Sequence, residues 1–250
     1  MRLIPLCLTV LLFACDSQVP TNAQDINQES DDVYTYSRAN RDGIGKVYMG
    51  REISHVMGHL GAGWLERPER ERDERTDLLI DNLNLDPDHV VADIGAGTGY
   101  FAFPMSARVP QGKVLAVDIQ PEMLAIIESR KQVGLSEASW QNIETVLGTE
   151  DNPNLPDNAV DLIYMVDAYH EFAYPREMGE AIVRALKPGG RIALVEYRME
   201  DRTVPIKRLH KMSEAQSRKE MAAIGLTWVE TKDILPQQHL MIFEKQISAP

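Results

Sequence analysis

Residues 90–101, VVADIGAGTGYF, constrain this chain more than any other stretch. Val90, Val91, Ala92 and Ile94 form a short apolar run, which predicts a strand buried on both faces as in a parallel sheet. Gly95, Gly97 and Gly99 follow at once. Without a Cβ these residues let the backbone turn sharply and come close to a ligand. A helix opening at Thr98 or Gly99 then points its free N–H groups back at the turn. The spacing separates two ligand classes. A dinucleotide turn reads G-x-G-x-x-G and needs its third glycine at position 100, which is Tyr100. Here the glycines run G-x-G-x-G, and Asp93 stands two residues before the first of them. A carboxylate at that point repels a pyrophosphate and suits a cationic ligand.

The rest of the chain repeats the alternation of strand and helix. Residues 113–119, KVLAVDI, predict a second buried strand ending at Asp118, about twenty residues past the turn. That is where a ribose-binding acid belongs, since one carboxylate accepts hydrogen bonds from both ribose hydroxyls. Pro121 sits at the first position of the next helix. Residues 144–147 predict a third strand and residues 160–168 a fourth, which delivers Asp167, Tyr169, His170 and Glu171 to its carboxyl end. Ligands of parallel α/β sheets bind outside those ends. A helix over 175–186, a fifth strand over 191–197 and a helix over 210–224 follow, then two strand-like runs, LTWVETKDI and HLMIFEK.

Four phrases in this order, the acid-x-G-x-G-x-G turn, VDIQPEML, the end of the fourth strand and LKPGGRIALVEY, resemble the class I S-adenosylmethionine-dependent methyltransferases over residues 45–245. The resemblance implies an α/β, doubly wound, Rossmann-like sheet of seven strands with one antiparallel edge strand. It implies S-adenosylmethionine as cofactor and a small molecule or lipid as methyl acceptor; no metal is implied. Asp93, Gly95, Ala96, Gly97 and Gly99 then hold the cofactor's methionine end, and Asp118 with Ile119 its ribose. The family's adenine-contacting acid falls at Thr149 here, a departure that moves the role to Glu150. Asp167 lines the cofactor side, and His170 and Glu171 face methyl transfer, as base or as pocket wall. Glu196, Tyr197 and Arg198 reach the same rim. A non-catalytic binder of S-adenosylmethionine or a nucleoside remains the alternative.

Ahead of the first motif, residues 47–65 are expected to contain a helix carrying Val47, Ile53, Val56, Met57 and Leu60 on one side. His55 and His59 have metal-ligand spacing on such a helix, but Val56 stands where a zincin has glutamate and no third ligand is in view. Ordinary or substrate-facing histidines are the better reading. By the family resemblance Tyr48, Met49 and Trp64 close over the cofactor, with plain packing as the other possibility. The charged run that starts at Glu66 reads as a solvated helix face.

A net charge of -12 argues against a nucleic-acid groove, which needs a basic stripe to neutralise phosphates. Residues 1–15 are a different matter: Arg2, then an apolar run over 3–14, then Cys15. They resemble a bacterial lipoprotein signal, with Cys15 as the lipidated residue, although Phe13 departs from the usual pattern. Residues 16–44 read as a polar tether. Together these imply an envelope location, membrane-anchored or periplasmic, and a cytoplasmic one if the leader is not processed.

Overall fold

The computed structural model describes residues 33–133 and 138–247. The signal-like segment with Cys15, and the tether up to residue 32, lie outside the described residues. In chain order the elements are β1 (Tyr34–Tyr36), β2 (Gly43–Tyr48), β3 (Arg51–Ser54), α1 (Ala62–Leu65), α2 (Arg70–Glu74), α3 (Thr76–Asp81), β4 (Val90–Ile94), α4 (Ala102–Ser106), β5 (Lys113–Asp118), α5 (Pro121–Val133), β6 (Ile143–Leu147), β7 (Val160–Val166), α6 (Pro175–Ala185), β8 (Leu186–Tyr197), α7 (Glu214–Ala223), β9 (Leu226–Lys232) and β10 (Gln238–Lys245).

Seven strands form one sheet in the order β6-β5-β4-β7-β8-β10-β9. The doubly wound sheet expected from the sequence is present. Strands β4 to β8 run parallel, and the reversed strand β10 lies between β8 and β9, antiparallel to both. Alternation along the strands feeds two cores. Val91, Val114, Leu162, Val195 and Ile242 face one side, where Leu79 of α3, Met105 of α4 and Ile127 of α5 cover them. Ala92, Leu115, Ile163, Leu194 and Phe243 face the other, under Met178 and Ile182 of α6 and Met221 of α7. Each such aliphatic side chain, fully withdrawn from water, contributes about 1.5–3 kcal/mol.

The order of strands creates the cleft. From β4 the chain winds outward through β5 to β6, then returns to place β7 on the other side of β4. Loops leaving β4 and β7 therefore part company, and the crevice between them opens at the carboxyl ends.

Three expectations fail ahead of β4. Residues 34–44, assigned to the tether, and residues 47–54 of the stretch expected to be helical instead build an antiparallel three-stranded sheet, β1-β2-β3, and within that stretch only Ala62–Leu65 is α-helical. The apolar positions fit a helical period, but Met49 and Gly50 turn the chain with positive φ and close a hairpin. The small sheet is fixed by buried charge as well as by the buried Tyr48 and Ile53. Arg51 donates from Nε and Nη2 to the Glu220 carboxylate on α7, at 2.8 and 2.9 Å, and from Nη1 to the His170 carbonyl at 3.0 Å. Tyr34 donates to Glu177 on α6, and Lys46 lies 3.4 Å above the Tyr174 ring. The third failure is the charged run: Arg70 and Glu74 are buried, because Arg75 takes a left-handed conformation that breaks the helix into α2 and α3 and turns α2 inward.

Candidate active site

A cavity of about 740 Å³ opens at the carboxyl ends of β4, β5 and β7. That volume suits a ligand of nucleoside size with room beside it. Its floor is the glycine turn. Gly95 has φ +81°, and a Cβ there would sit 2.6 Å from the Cβ of Ala168 on the facing loop. Gly97 has φ +53°, and its Cβ would meet Leu65 at 2.6 Å. The turn is thus packed against both walls of the crevice. It is tied to β5 by Gly95 and Ala96, whose N–H groups donate to the Val117 carbonyl at 2.9 and 3.0 Å.

Asp118 is held by the same turn. The Gly97 N–H donates to its Oδ2 and the Gln120 N–H to its Oδ1, each at 2.9 Å. One lone pair of each oxygen remains for a ligand, which is what a ribose diol requires. Burial raises the Asp118 carboxyl above its ordinary range, opposed by these N–H donors. Ile119, Gly148, Thr149 and Glu150 continue the wall from β5 and β6.

Asp93 is more deeply set. Burial pushes its carboxyl up to about 7, against the neighbouring Tyr164 hydroxyl, with Asp118 adding repulsion and Arg70 opposing it. Asp167, at φ +51° just past β7, accepts from Gln238 at 2.8 Å through Oδ2, while Oδ1 has no donor among the described residues. Burial, Glu74 and Glu196 together raise it well above the carboxylate range. Both acids line the cavity. A cationic, N–H-bearing ligand would relieve them, since it supplies the missing donor and favours the ionised form.

The opposite end of the cavity is built by residues far apart in sequence. His170 is 2% exposed, in a single 3-10 turn after β7. Its Nδ1 lies 2.6 Å from Oε2 of Glu196, which is fully buried at the end of β8, so Nδ1 carries the proton that this carboxylate accepts. Its Nε2 stands 3.2 Å from Nδ1 of His210. Oε1 of Glu171 is 3.4 Å from the same His210 nitrogen. Glu171 keeps that orientation because its Oε2 accepts from the Met57 N–H at 3.0 Å. The Glu196 and Glu171 carboxylates raise the His170 imidazole against the lowering effect of burial, which is the largest single influence.

The structure brings the sequence candidates for cofactor binding and methyl transfer to one cavity except Gly99, which packs behind the turn on Phe103 and Ile127. Of the expected rim residues Tyr197 lines it, whereas Glu196 lies behind His170 and Arg198 turns away to the Leu235 and Pro236 carbonyls. Trp64 lines the cavity, but Tyr48 is buried in the small sheet and Met49 sits at its hairpin turn, so neither covers the site. His55 and His59 fall in a loop and a 3-10 turn, not on one helix face. Sequence reasoning missed His210, Arg67, Arg70 and Glu74. Glu74 accepts from Arg70 Nε and from the Tyr197 hydroxyl, each at 2.9 Å, and from Arg67. All four members of this network line the cavity. Their signal was the arginine and glutamate spacing of 67–74, which charge alone renders as surface.

Residues 92–194 match the family model described as a methyltransferase domain. The chain is 30% identical over 156 residues to an uncharacterized methyltransferase-like protein of Schizosaccharomyces pombe, covering 62% of this chain and 56% of that one. Over 108 residues it is 29% identical to the demethylmenaquinone methyltransferase of Thermus thermophilus, covering 43% and 46%. The chain thus spans about half the length of the curated relatives it matches. A SAM-dependent methyltransferase from Aquifex aeolicus shares the fold, with a TM-score of 0.69 and 24% identity over 76% of this chain and 99% of that one.

Proposed function

We propose that this protein transfers a methyl group from S-adenosylmethionine to a small-molecule or lipid acceptor. The observation that carries the reading is the Asp118 carboxylate, pinned by the Gly97 and Gln120 N–H groups at the floor of a cavity of about 740 Å³. S-adenosylmethionine supplies a methyl carbon already activated by its sulfonium, which passes to the acceptor's lone pair as the bond to sulfur breaks and sulfur keeps the electron pair. The protein's work is alignment and exclusion of water. Asp118 takes the ribose, with Ile119 beside it and Glu150 on the adenine side. Asp93 and Asp167 receive the ammonium at the turn formed by Gly95, Ala96 and Gly97. Arg70, which faces Asp93, is the positive group for the carboxylate of the same methionine end.

The acceptor belongs at the other pole. His170, Glu171 and His210 present lone pairs there, on the wall that the acceptor's reacting group would face. Val56, Trp64, Phe172 and Ile206 make the neighbouring wall apolar, which supports an acceptor with an apolar body. The relative named for demethylmenaquinone makes that quinone, supplied in its reduced hydroquinone form, the first acceptor to try. Calorimetry of the purified chain with S-adenosylhomocysteine is the test, followed by transfer of labelled methyl to quinone and to cell extract. Absence of binding at millimolar ligand overturns the reading. Binding without transfer to any acceptor favours the non-catalytic alternative.

The sequence resemblance of residues 1–15 supports a second proposal, that Cys15 is lipidated and holds the domain at the cell envelope. Fractionation of cells expressing the chain and its Cys15→Ser variant tests it; equal partition into the membrane fraction would overturn it.

A further inference from the structure

We infer that His170, Glu171 and His210 form a binding site for a divalent transition-metal cation, Zn²⁺ in the first instance, at the acceptor end of the cavity. The inference rests on the methyltransferase reading only for what the metal does, not for whether it binds. Three donor atoms converge: Nε2 of His170, Nδ1 of His210 and Oε1 of Glu171. Their separations are 3.2, 3.4 and 3.8 Å. A tetrahedral ion with ligands at about 2.1 Å requires separations of about 3.4 Å, so one cation fits at bonding distance from all three. The three groups form a cluster with metal-ligating composition and proximity.

Each of two ligands is fixed by a partner on its far side, as in established metal sites. The Glu196 carboxylate, 2.6 Å from His170 Nδ1, sets the tautomer that leaves a lone pair on Nε2. The Glu196 Oε1 also accepts from the His170 N–H at 3.2 Å, so ring and backbone are both held. The Met57 N–H occupies Oε2 of Glu171 and leaves Oε1 facing the two rings. Charge favours the same conclusion. Glu171 and Glu196 bring two carboxylates to the cluster, while Arg51, whose guanidinium reaches the His170 carbonyl, is already committed to Glu220. A cation is what this group of donors lacks.

Two histidines and one carboxylate leave the fourth position open, which is the arrangement of catalytic rather than structural metal sites. That position is on the cavity, since all three ligands line it. An acceptor oxygen bound there would lose its proton to water more readily, because the cation stabilises the oxyanion. The acceptor class is then a hydroxylated small molecule that offers an oxygen to the metal.

The test uses the full chain, stripped with a chelator, incubated with Zn²⁺ and desalted. We expect about one zinc per chain by elemental analysis, and a visible absorption band of four-coordinate geometry with Co²⁺ in its place. His210→Ala and Glu171→Gln should each lower metal affinity about tenfold or more, with S-adenosylhomocysteine binding confirming that the variants are folded. Failure of the stripped chain to take up metal, or uptake that both variants retain unchanged, would overturn the cation site. Metal uptake without S-adenosylhomocysteine binding would overturn the proposed methyl transfer and leave the cation site standing.

Discussion

The two ends of the cavity are made in opposite ways. At the end proposed for the cofactor, Asp93, the glycine turn and Asp118 come from β4, β5 and the loops that leave them, and the bonds that fix them join neighbours: Val117 to Gly95, Asp118 to Gly97 and Gln120. At the end proposed for the acceptor, His170 with Glu171, Glu196 and His210 come from three separate elements, and support for His170 and Glu171 comes from Arg51 and Met57, more than a hundred residues earlier in the chain. One end is a local device that any correctly paired β4 and β5 would form. The other exists only when the whole chain has assembled. Damage should therefore propagate differently from each.

The largest expected effect tests that difference directly. Arg51→Met leaves Glu220 charged and unpaired at zero exposure, which should cost about 3–5 kcal/mol of stability. Thermal unfolding should shift down by roughly 10 °C, and methyl transfer should fall while S-adenosylhomocysteine binding below the new transition persists. Loss of both together would show that the glycine-turn end also needs the fully assembled chain. Next, Asp118→Ala removes the acceptor of two backbone N–H groups and of the ribose, and calorimetry should record a loss of about 100-fold, or ~3 kcal/mol, in cofactor affinity. Zinc uptake should survive that change. Glu196→Gln, which takes the charge from behind His170, should slow methyl transfer and weaken metal binding by about 10–100-fold without altering cofactor affinity.

The smallest effect is on pH dependence. Asp93 sits near 7 because it is buried. An ammonium beside it requires the ionised form, so binding below pH 7 must first expel a proton. Cofactor affinity should weaken by up to about tenfold per pH unit below 7 and level off above it, and Asp93→Asn should flatten the profile. In the unliganded chain the sign reverses. The folded state holds this proton over a window where the unfolded chain has released it, so the residue's contribution to stability declines as pH rises from about 4 to 7.

The same contrast explains what could be read from the sequence. Asp93, Gly95, Gly97 and Asp118 were legible because strand, turn and acid lie at fixed offsets along a single crossover. The seven-stranded sheet was not read from spacing; it followed from the family resemblance that these motifs carry. His170 and Glu171 were visible as the end of a strand, but nothing local announces His210 as their neighbour, forty residues on. The small sheet of residues 34–54 was misread because its apolar positions recur at helical spacing and its hairpin turns on Met49-Gly50. Arg70 and Glu74 were misread because charged residues in a run look solvated, and only the left-handed Arg75 reveals that the run turns inward.

Met57 has an unusual double attachment. Its N–H is taken by Glu171, and its carbonyl accepts from Gln120 Nε2 at 3.0 Å, while the His59 N–H holds Gln120 Oε1 at 2.7 Å. One short piece of backbone is therefore hooked to each of the two subsites. A molecule that settles either subsite prepays part of the ordering the other demands, so the two occupants should bind with positive heterotropic cooperativity, each tightening the other by an equal factor.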